Sequence, residues 1–332
     1  MSRMTRTRAE MSVPQTRPSV VVNSGNPSRV VDSQDSFQRV GTGGQEEGCE
    51  RMLRYFSERQ DHLAQSEQKF REMEQAALAI PVAPLGTSYL CFRLDGIKVS
   101  KRFLKDSLSN ERFYDALRLS IQGVYQLLRR STGEEYGEHE PGNFFLCAFC
   151  VSDEVSFILN NRRNHLENRV FKTGTTLAGT LSGALSLNYK SESKKHAKPS
   201  TNGHQFPMVM AFDARPLILN VHDEVEEYIL HRWLLAGRNT MSKVLRLARV
   251  LPGEDVYRLA RQNDLPRLCE LIERNGLVEQ YHSAMRSFTL FLPSALTHDA
   301  KFEQFHPRDG TSGISLLTER VRRLREQESV GL

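Results

Sequence analysis

Two aspartates at the ends of predicted strands are the residues of this sequence best suited to chemistry. Asp95 ends the apolar run SYLCFRLDG, and Asp153 lies in the acidic turn SDE between NFFLCAFCV and VSFILN. Carboxylates at the same end of neighbouring strands can hold two Mg²⁺ ions roughly 3.5 to 4 Å apart, because Mg²⁺ prefers oxygen ligands. Gly96 can add its backbone carbonyl, since a residue without a Cβ lets the chain approach an ion closely. The pattern alone also fits two turn residues without a metal.

The elements that would position these aspartates alternate between strands and helices. After the strand that ends at Asp95, Asn110 is suited to cap a helix whose apolar residues recur at helical spacing as far as Arg130. The hairpin around Asp153 comes next, followed by a helix over 168–187 whose small residues permit close approach to a sheet, and by a strand in PMVMAFDARPLIL. The order βαββαβ predicts an α+β fold, a ferredoxin-like antiparallel sheet with helices on one face.

Helical patterns precede and follow this predicted sheet. Residues 47–79 lack Gly and Pro beyond the first two positions and are dense in Glu, Gln, Arg and Lys, which predicts a long, mostly solvated helix. Residues 223–250, 254–274 and 316–327 predict a helical extension, with a further strand in SFTLFL. The segment 188–207 is a predicted loop, and it is either a solvated insertion or an RNA contact. Its lysines are Lys190, Lys194, Lys195 and Lys198.

Composition is typical of a soluble protein with a loose amino-terminal tail. No apolar run reaches the roughly 18 to 20 residues that a membrane-spanning helix needs, so we expect no membrane association. The net charge of +5 suits an anionic partner such as RNA, although many proteins without one are equally basic. Residues 1–46 are rich in Ser, Arg, Gln, Pro and Gly and predict a disordered tail. Pro14 and Pro18 interrupt its presequence-like arginines, so we expect a cytoplasmic protein, with mitochondria as the alternative.

The five cysteines do not predict a disulfide framework or a metal site. Their number is odd, and the chain has no secretory signal. Cys147 and Cys150 form a CxxC within an apolar run that has no second pair and no nearby histidine. In a strand their side chains face opposite ways, so we expect two buried apolar residues.

Several strings, taken in order, resemble the tRNA-histidine guanylyltransferase family of 3′-to-5′ polymerases, in the branch called guanylyltransferase-like. The resemblance spans residues 48–250, and its specificity lies in the ordered combination. The matching strings are FRLDG (92–96), RFLKD and NER (102–112), SDEVSF (152–157), NRVFK (168–172), FDAR (212–215) and RWLLAGRN (232–239).

The resemblance implies a polymerase palm and a two-metal nucleotidyl transfer. It implies that Asp95, Gly96 and Asp153 hold two Mg²⁺ ions, that ATP and GTP are substrates, and that tRNA or another structured RNA is the partner. It also implies a homo-oligomer, a tetramer by analogy. The domains are then a tail (1–46), the palm with its leading helix (47–220) and a helical part that completes the site (221–332). Nucleotide phosphates or the incoming nucleotide would lie at positions that match Arg93, Lys105, Ser152, Arg169, Lys172 and Asn239.

Departures from the family pattern leave other functions open. Ile97, Lys98 and Val99 replace the usual Arg-x-Phe after DG, and Val151 and Val155 replace polar and aromatic residues beside the acidic turn. One alternative is a degenerate palm that binds RNA or nucleotides without turnover. Another is a relative of the nucleotide cyclases, which share a two-aspartate palm.

Overall fold

The computed structural model describes most of the predicted palm and its helical extension. The described residues are 43–80, 89–104, 108, 110–128, 144–160, 166, 169–193, 209–285, 288–293, 302–305, 319 and 322. Most of the predicted tail, 1–46, lies outside them. Its last four residues are helical, because the first helix begins at Gly43. The predicted domain boundaries stay predictions.

Six described strands form one sheet in the order β4-β1-β3-β2-β5-β6, and every neighbouring pair is antiparallel. The first four strands in this order are those of a ferredoxin-like fold, which confirms the predicted α+β class. β5 begins at Thr289, inside the predicted SFTLFL strand, and extends the sheet beside β2, whereas β6 was not predicted. The strands are β1 (Tyr89–Gly96), β2 (Phe145–Val151), β3 (Glu154–Asn160), β4 (Phe212–Leu219), β5 (Thr289–Pro293) and β6 (Phe302–Phe305).

Two helices cover one face of the sheet, as predicted for a palm. They are α3 (Glu111–Leu128) and α4 (Val170–Ser193), which pack against alternate strand residues such as Phe92 and Phe157. The Asn110 side chain caps α3 by accepting a hydrogen bond from the Phe113 amide at 3.1 Å. The small residues of α4 differ in role from the prediction. Gly174 does meet the sheet at Phe92, but no described atom lies within 4 Å of a Cβ placed on Gly179 or Gly183.

The opposite face of the sheet is covered by the other helices. A second core joins them to strand residues that include Cys91, Phe149 and Leu217, and Trp233 and Tyr228 of α5 are buried within it. The helices are α1 (Gly43–Ser57), α2 (Gln60–Leu78), α5 (His222–Leu247), α6 (Gly253–Arg261), α7 (Leu265–Arg274) and α8 (Val278–Met285).

The long, mostly solvated helix predicted over 47–79 was wrong in two respects. The chain turns at Glu58 and Arg59, so it forms the two helices α1 and α2. Each helix also buries an apolar stripe against α5 and its neighbours. The charged residues that dominate the segment lie on the remaining faces, and they obscured the stripe in the sequence. The buried residues are Met52, Leu53, Phe56, Leu63 and Phe70.

Other element boundaries also moved. Helix α4 continues to Ser193, so 188–193 are not a loop, and 194–208 lie outside the described residues. The predicted helix 254–274 is two helices, because the chain turns at Asn263 and Asp264 then accepts a hydrogen bond from the Arg267 amide at 3.1 Å. Helix α8 was not predicted. Of the predicted helix 316–327, only Glu319 and Arg322 are described, both helical.

Cys147 and Cys150 are buried, as predicted for this strand. Cys147 and Cys150 lie on opposite faces of β2, each in a different core. Burial raises their thiol pKa values to about 12 and about 11, which keeps both protonated at neutral pH. Among the described residues, no helix has the length and apolar character needed to cross a membrane.

Candidate active site

Asp95 and Asp153 lie at the same end of the sheet, on adjoining elements. Asp95 is in β1, and Asp153 occupies the two-residue turn between β2 and β3 with Ser152, whose φ is 56°. The Gly96 amide donates a hydrogen bond to the Asp153 carbonyl at 3.2 Å, and the Ser100 amide donates one to Asp153 Oδ2 at 2.8 Å. The Ser152 hydroxyl lies 3.3 Å from Asp153 Oδ1. These contacts hold the turn against the end of β1.

The two aspartates interact electrostatically. Asp153 is only 8% exposed, and burial raises its carboxyl pKa above the ordinary value. The negative charge of Asp95 raises the Asp153 pKa further, whereas the amide of Ser100 and the hydroxyl of Ser152 lower it. A cation beside both carboxylates would offset the burial cost and the repulsion together.

The residues present fit a Mg²⁺ site in their chemistry. The described residues contain no cluster of three or more His, Cys, Asp or Glu arranged to hold a metal ion. Asp95 and Asp153 nevertheless supply carboxylate oxygens at the same end of the sheet, and the Gly96 carbonyl is a third hard donor of the type that Mg²⁺ takes. Because Gly96 has no side chain, the end of β1 can lie close to Val99 and to the Asp153 turn. A Cβ there would lie 2.8 Å from Val99 Cβ and 3.1 Å from the Asp153 carbonyl oxygen.

A row of three carboxylates crosses the sheet at this end. Asp95 is paired in register with Glu154 on β3 and with Asp213 on β4. Directly paired residues of antiparallel strands point to the same face, so these side chains are neighbours. Sequence reasoning did not single out Asp213 or Glu154. The sequence does show an acidic residue in each of the strings LDG, SDE and FDA. Only the strand register, however, shows that Asp95, Glu154 and Asp213 lie next to each other.

A buried ion-pair network lies beside this row and engages Arg93. Arg93 Nη1 lies 2.8 Å from Glu74 Oε1 of α2, and Arg93 Nε lies 3.9 Å from Glu154 Oε2. Arg232 of α5 pairs with the same Glu154 carboxylate. The four side chains are 13% to 17% exposed, so the network connects α2, β1, β3 and α5 under the carboxylate row. Arg93, predicted to hold phosphate, has carboxylate partners in this structure.

Comparison with solved structures places this arrangement in a known fold. A bacterial tRNA(His) guanylyltransferase-like protein in complex with ATP matches 76% of this chain and 98% of its own, with 15% identity and a TM-score of 0.50. The chain has the fold of that guanylyltransferase-like protein. A bacterial tRNA(His) guanylyltransferase-like protein in complex with GTP has 16% identity and a TM-score of 0.47 over the same shares of both chains. A tRNA(His) guanylyltransferase from Saccharomyces cerevisiae has 18% identity, a TM-score of 0.41 and coverage of 65% and 91%. No family model and no curated protein matches the chain.

A small pocket is lined by the residues that directly follow Gly96 in the chain. Its volume is about 380 Å³. Two lysines line it together with apolar side chains, which is a suitable environment for a phosphorylated ligand with an apolar ring. Lys98 adopts a positive φ of 61°, so the backbone reverses here before a π-helical turn at Ser100–Leu104. The lining residues are Ile97, Lys98, Val99, Lys101, Phe103, Val209 and Met210.

The described members of the remaining predicted nucleotide ligands, Arg169, Lys172 and Asn239, are not gathered at the aspartates. Lys105 lies outside the described residues. Arg169 and Lys172 are at the start of α4, which packs on the opposite face from Arg93. Ser182 of α4 accepts a hydrogen bond from the amide of Phe212, the register partner of Gly96, so Arg169 is about 20 Å away along the helix axis.

Asn239 is on α5, seven residues beyond Arg232, and its side chain is exposed. At the helical rise this is about 10 Å past the level of the ion-pair network. The nucleotide role of Asn239, like that of Arg169 and Lys172, stays a prediction.

Proposed function

We propose that this chain is a metal-dependent nucleotidyltransferase that adds nucleotides to the 5′ end of tRNA or a related RNA in the 3′-to-5′ direction. One observation carries the proposal: Asp95 and the buried Asp153 share one end of a palm sheet, and the Asp95 charge raises the Asp153 pKa. The fold shared with the ATP-bound guanylyltransferase-like protein supports the same class of substrate.

In this reaction the 3′-hydroxyl oxygen of the incoming nucleotide attacks the phosphorus of an activated RNA 5′ end. The bond between that phosphorus and its nucleotide or pyrophosphate leaving group breaks. Asp95, Asp153 and the Gly96 carbonyl would hold two Mg²⁺ ions, which supply charge neutralisation for the attacking and leaving oxygens.

The chain's own residues position this chemistry. The amides of Gly96 and Ser100 fix the Asp153 turn, so the second carboxylate stays at the end of β1. Lys98 and Lys101, in the adjoining pocket, provide positive charge for phosphates. Lys105, Arg169, Lys172 and Asn239 are proposed as further contacts to nucleotide or RNA, and a homo-oligomer is proposed as the working form.

The test is incubation of the full chain with labelled triphosphates, Mg²⁺ and tRNAs shortened at the 5′ end. We expect labelled products extended at that end. Asp95→Asn should remove the extension, and Asp115→Asn should retain it because the Asp115 side chain is 66% exposed on α3 and paired with Arg118. Clean absence of extension across a panel of tRNAs would reject the proposal.

A second function is favoured by one observation. Arg93 is engaged by two carboxylates in the buried network instead of being free for a nucleotide phosphate, and together with the substitutions beside both acidic motifs this favours a degenerate palm that binds RNA or nucleotides without turnover. Saturable ATP and RNA binding with no extension, under conditions where a known 3′-to-5′ polymerase is active, would favour this binding protein.

A further inference from the structure

A second pocket lies between α2, α5 and the β1–β4 side of the sheet. Its volume is about 770 Å³, which is within the range of small-molecule sites. Among its described lining residues, Arg93 alone belongs to the predicted nucleotide ligands. Asp213 also lines it and is the register partner of Asp95, so the pocket opens one strand away from the carboxylate pair.

Four arginines from four elements line this pocket. Arg71 comes from α2, Arg93 from β1, Arg215 from β4 and Arg232 from α5. Planar guanidinium groups bind phosphate oxygens through paired hydrogen bonds, and such convergence is typical of phosphate recognition. Three carboxylates, those of Glu67, Glu74 and Asp213, line the same pocket and pair with these arginines, and apolar side chains form part of the wall, which suits a phosphate attached to an organic group. The apolar lining residues are Phe70, Leu78, Ala214 and Leu235.

The two outer arginines form partly exposed ion pairs. Arg215 lies 3.2 Å from Asp213, with side chains 46% and 45% exposed. Arg71 lies 3.4 Å from Glu67, and the Arg71 side chain is 60% exposed. Exposed pairs of this kind contribute little stability, so both guanidinium groups can exchange a carboxylate for another anion at small cost.

The two inner arginines have hydrogen-bonding capacity that the described residues leave unused. The Nε atoms of Arg93 and Arg232 are buried and make no hydrogen bond among the described residues, although other nitrogens of both side chains engage Glu74 and Glu154. A buried donor without an acceptor is costly, and because both nitrogens are closed off from solvent, a ligand oxygen would reach them only after the side chains shift.

We propose that this pocket binds a phosphate group and that Glu74 is the internal competitor of that group for Arg93. Glu74 lines the pocket, is 14% exposed and lies 2.8 Å from Arg93 Nη1, so it occupies the guanidinium that a phosphate would use. Assigning the phosphate to a nucleotide or to the 5′ end of RNA rests on the proposed function, because the pocket adjoins Asp95. The anion site itself does not depend on turnover.

The direct test is calorimetric binding of inorganic tripolyphosphate to the full chain without Mg²⁺. Glu74→Gln should tighten binding several-fold, since it removes a competing charge while keeping the side-chain shape. Arg215→Gln should weaken binding by about tenfold, the effect of losing one charge-assisted hydrogen bond. The controls are Glu72→Gln, an exposed residue on the same helix, and Arg258→Gln, whose side chain is 65% exposed on α6. Neither control should change the affinity.

Unchanged or weaker binding by Glu74→Gln would overturn the inference, because Glu74 would then position Arg93 rather than compete with the ligand. ATP, a 5′-phosphorylated oligoribonucleotide and its 5′-hydroxyl counterpart identify the source of the phosphate. The double variant Asp95→Asn with Asp153→Asn separates the two proposals. Glu74→Gln and Arg215→Gln are then introduced into this double variant, and tripolyphosphate affinity is measured again. If both substitutions still change the affinity while the wild type extends no RNA, the anion site is supported and the proposed function is rejected. RNA extension without these effects would reject the anion site alone.

Discussion

The Gly96 amide donates a hydrogen bond to the Asp153 carbonyl at 3.2 Å, which joins the end of β1 to the turn between β2 and β3. The approach is close enough that a Cβ at position 96 would meet Val99 Cβ at 2.8 Å. The position of one catalytic candidate relative to the other therefore depends on a residue without a side chain.

We expect Gly96→Ala to lower the free energy of unfolding by about 1 to 3 kcal/mol, the range for overpacking a filled site. RNA extension should fall at the same time, because the shift moves the Asp153 turn away from Asp95. Gly123→Ala is the matched control. No described atom lies within 4 Å of a Cβ there, and the residue is inside α3, so this variant should gain about 0.5 to 1 kcal/mol. Urea unfolding measures the free energy of unfolding of the two variants. A loss of stability in Gly123→Ala as well as in Gly96→Ala would contradict the prediction.

Asp153→Asn should separate activity from stability. Burial raises the Asp153 pKa, so the fold favours the protonated carboxyl and the ionised form is disfavoured at neutral pH. The neutral variant should therefore unfold at pH 7 with a free energy equal to or above that of the wild type. Its RNA extension should fall by on the order of 100-fold or more, because a carboxylate beside Asp95 is lost. Near wild-type turnover at saturating Mg²⁺ would rule out the metal assignment.

The raised pKa of Asp153 should also be visible in how the free energy of unfolding depends on pH. Because its folded pKa is raised, the folded protein takes up this proton at a higher pH than the unfolded chain, so this group adds stability as the pH falls through that pKa. Unfolding curves of the wild type and Asp153→Asn should converge on acidification.

The pair of Arg232 and Glu154 should show strong coupling in a double-mutant cycle. Both side chains are largely buried, 13% and 17% exposed. Removing one partner leaves a buried charge, so Arg232→Met or Glu154→Gln should each cost about 3 to 5 kcal/mol, and the double variant should cost less than the sum. The exposed pair of Arg258 and Asp255 is the comparison, with an expected coupling of about 0 to 1 kcal/mol. Additive losses at Arg232 and Glu154 would show that the two side chains act independently.

His231 should make the fold sensitive to mild acid. Burial between α2 and α5 lowers its pKa to about 3, with a further lowering by the charges of Arg232 and Arg238, and its Nδ1 lies 2.9 Å from Ser66 Oγ. The unfolded chain takes up a proton near pH 6.5, so stability should fall by up to about 1.4 kcal/mol per pH unit below that value. His231→Gln should reduce the slope between pH 6.5 and 5. Equal slopes in the wild type and His231→Gln would exclude this role.

The sequence by itself determined the local elements that carry the candidate site. The apolar run before Asp95, the acidic turn at Asp153 and the Asn110 cap are signals between residues a few positions apart, and β1, the hairpin and α3 formed as predicted. The element order then gave the fold class, because short antiparallel connections allow few arrangements of such units. The resemblance added Arg93 and Ser152, which adjoin the two aspartates along the chain, and their nucleotide role stays a prediction.

Only the tertiary structure decided which distant side chains surround them. The alignment of Asp213 and Glu154 with Asp95 depends on strand register, which the packing of two cores fixes. Helix α2 carries Glu74 to Arg93, and the sequence hid this contact because its buried stripe is narrow among charged residues. Such contacts join residues far apart in the chain, and their free energies come from burial and charge pairing that sequence spacing does not encode.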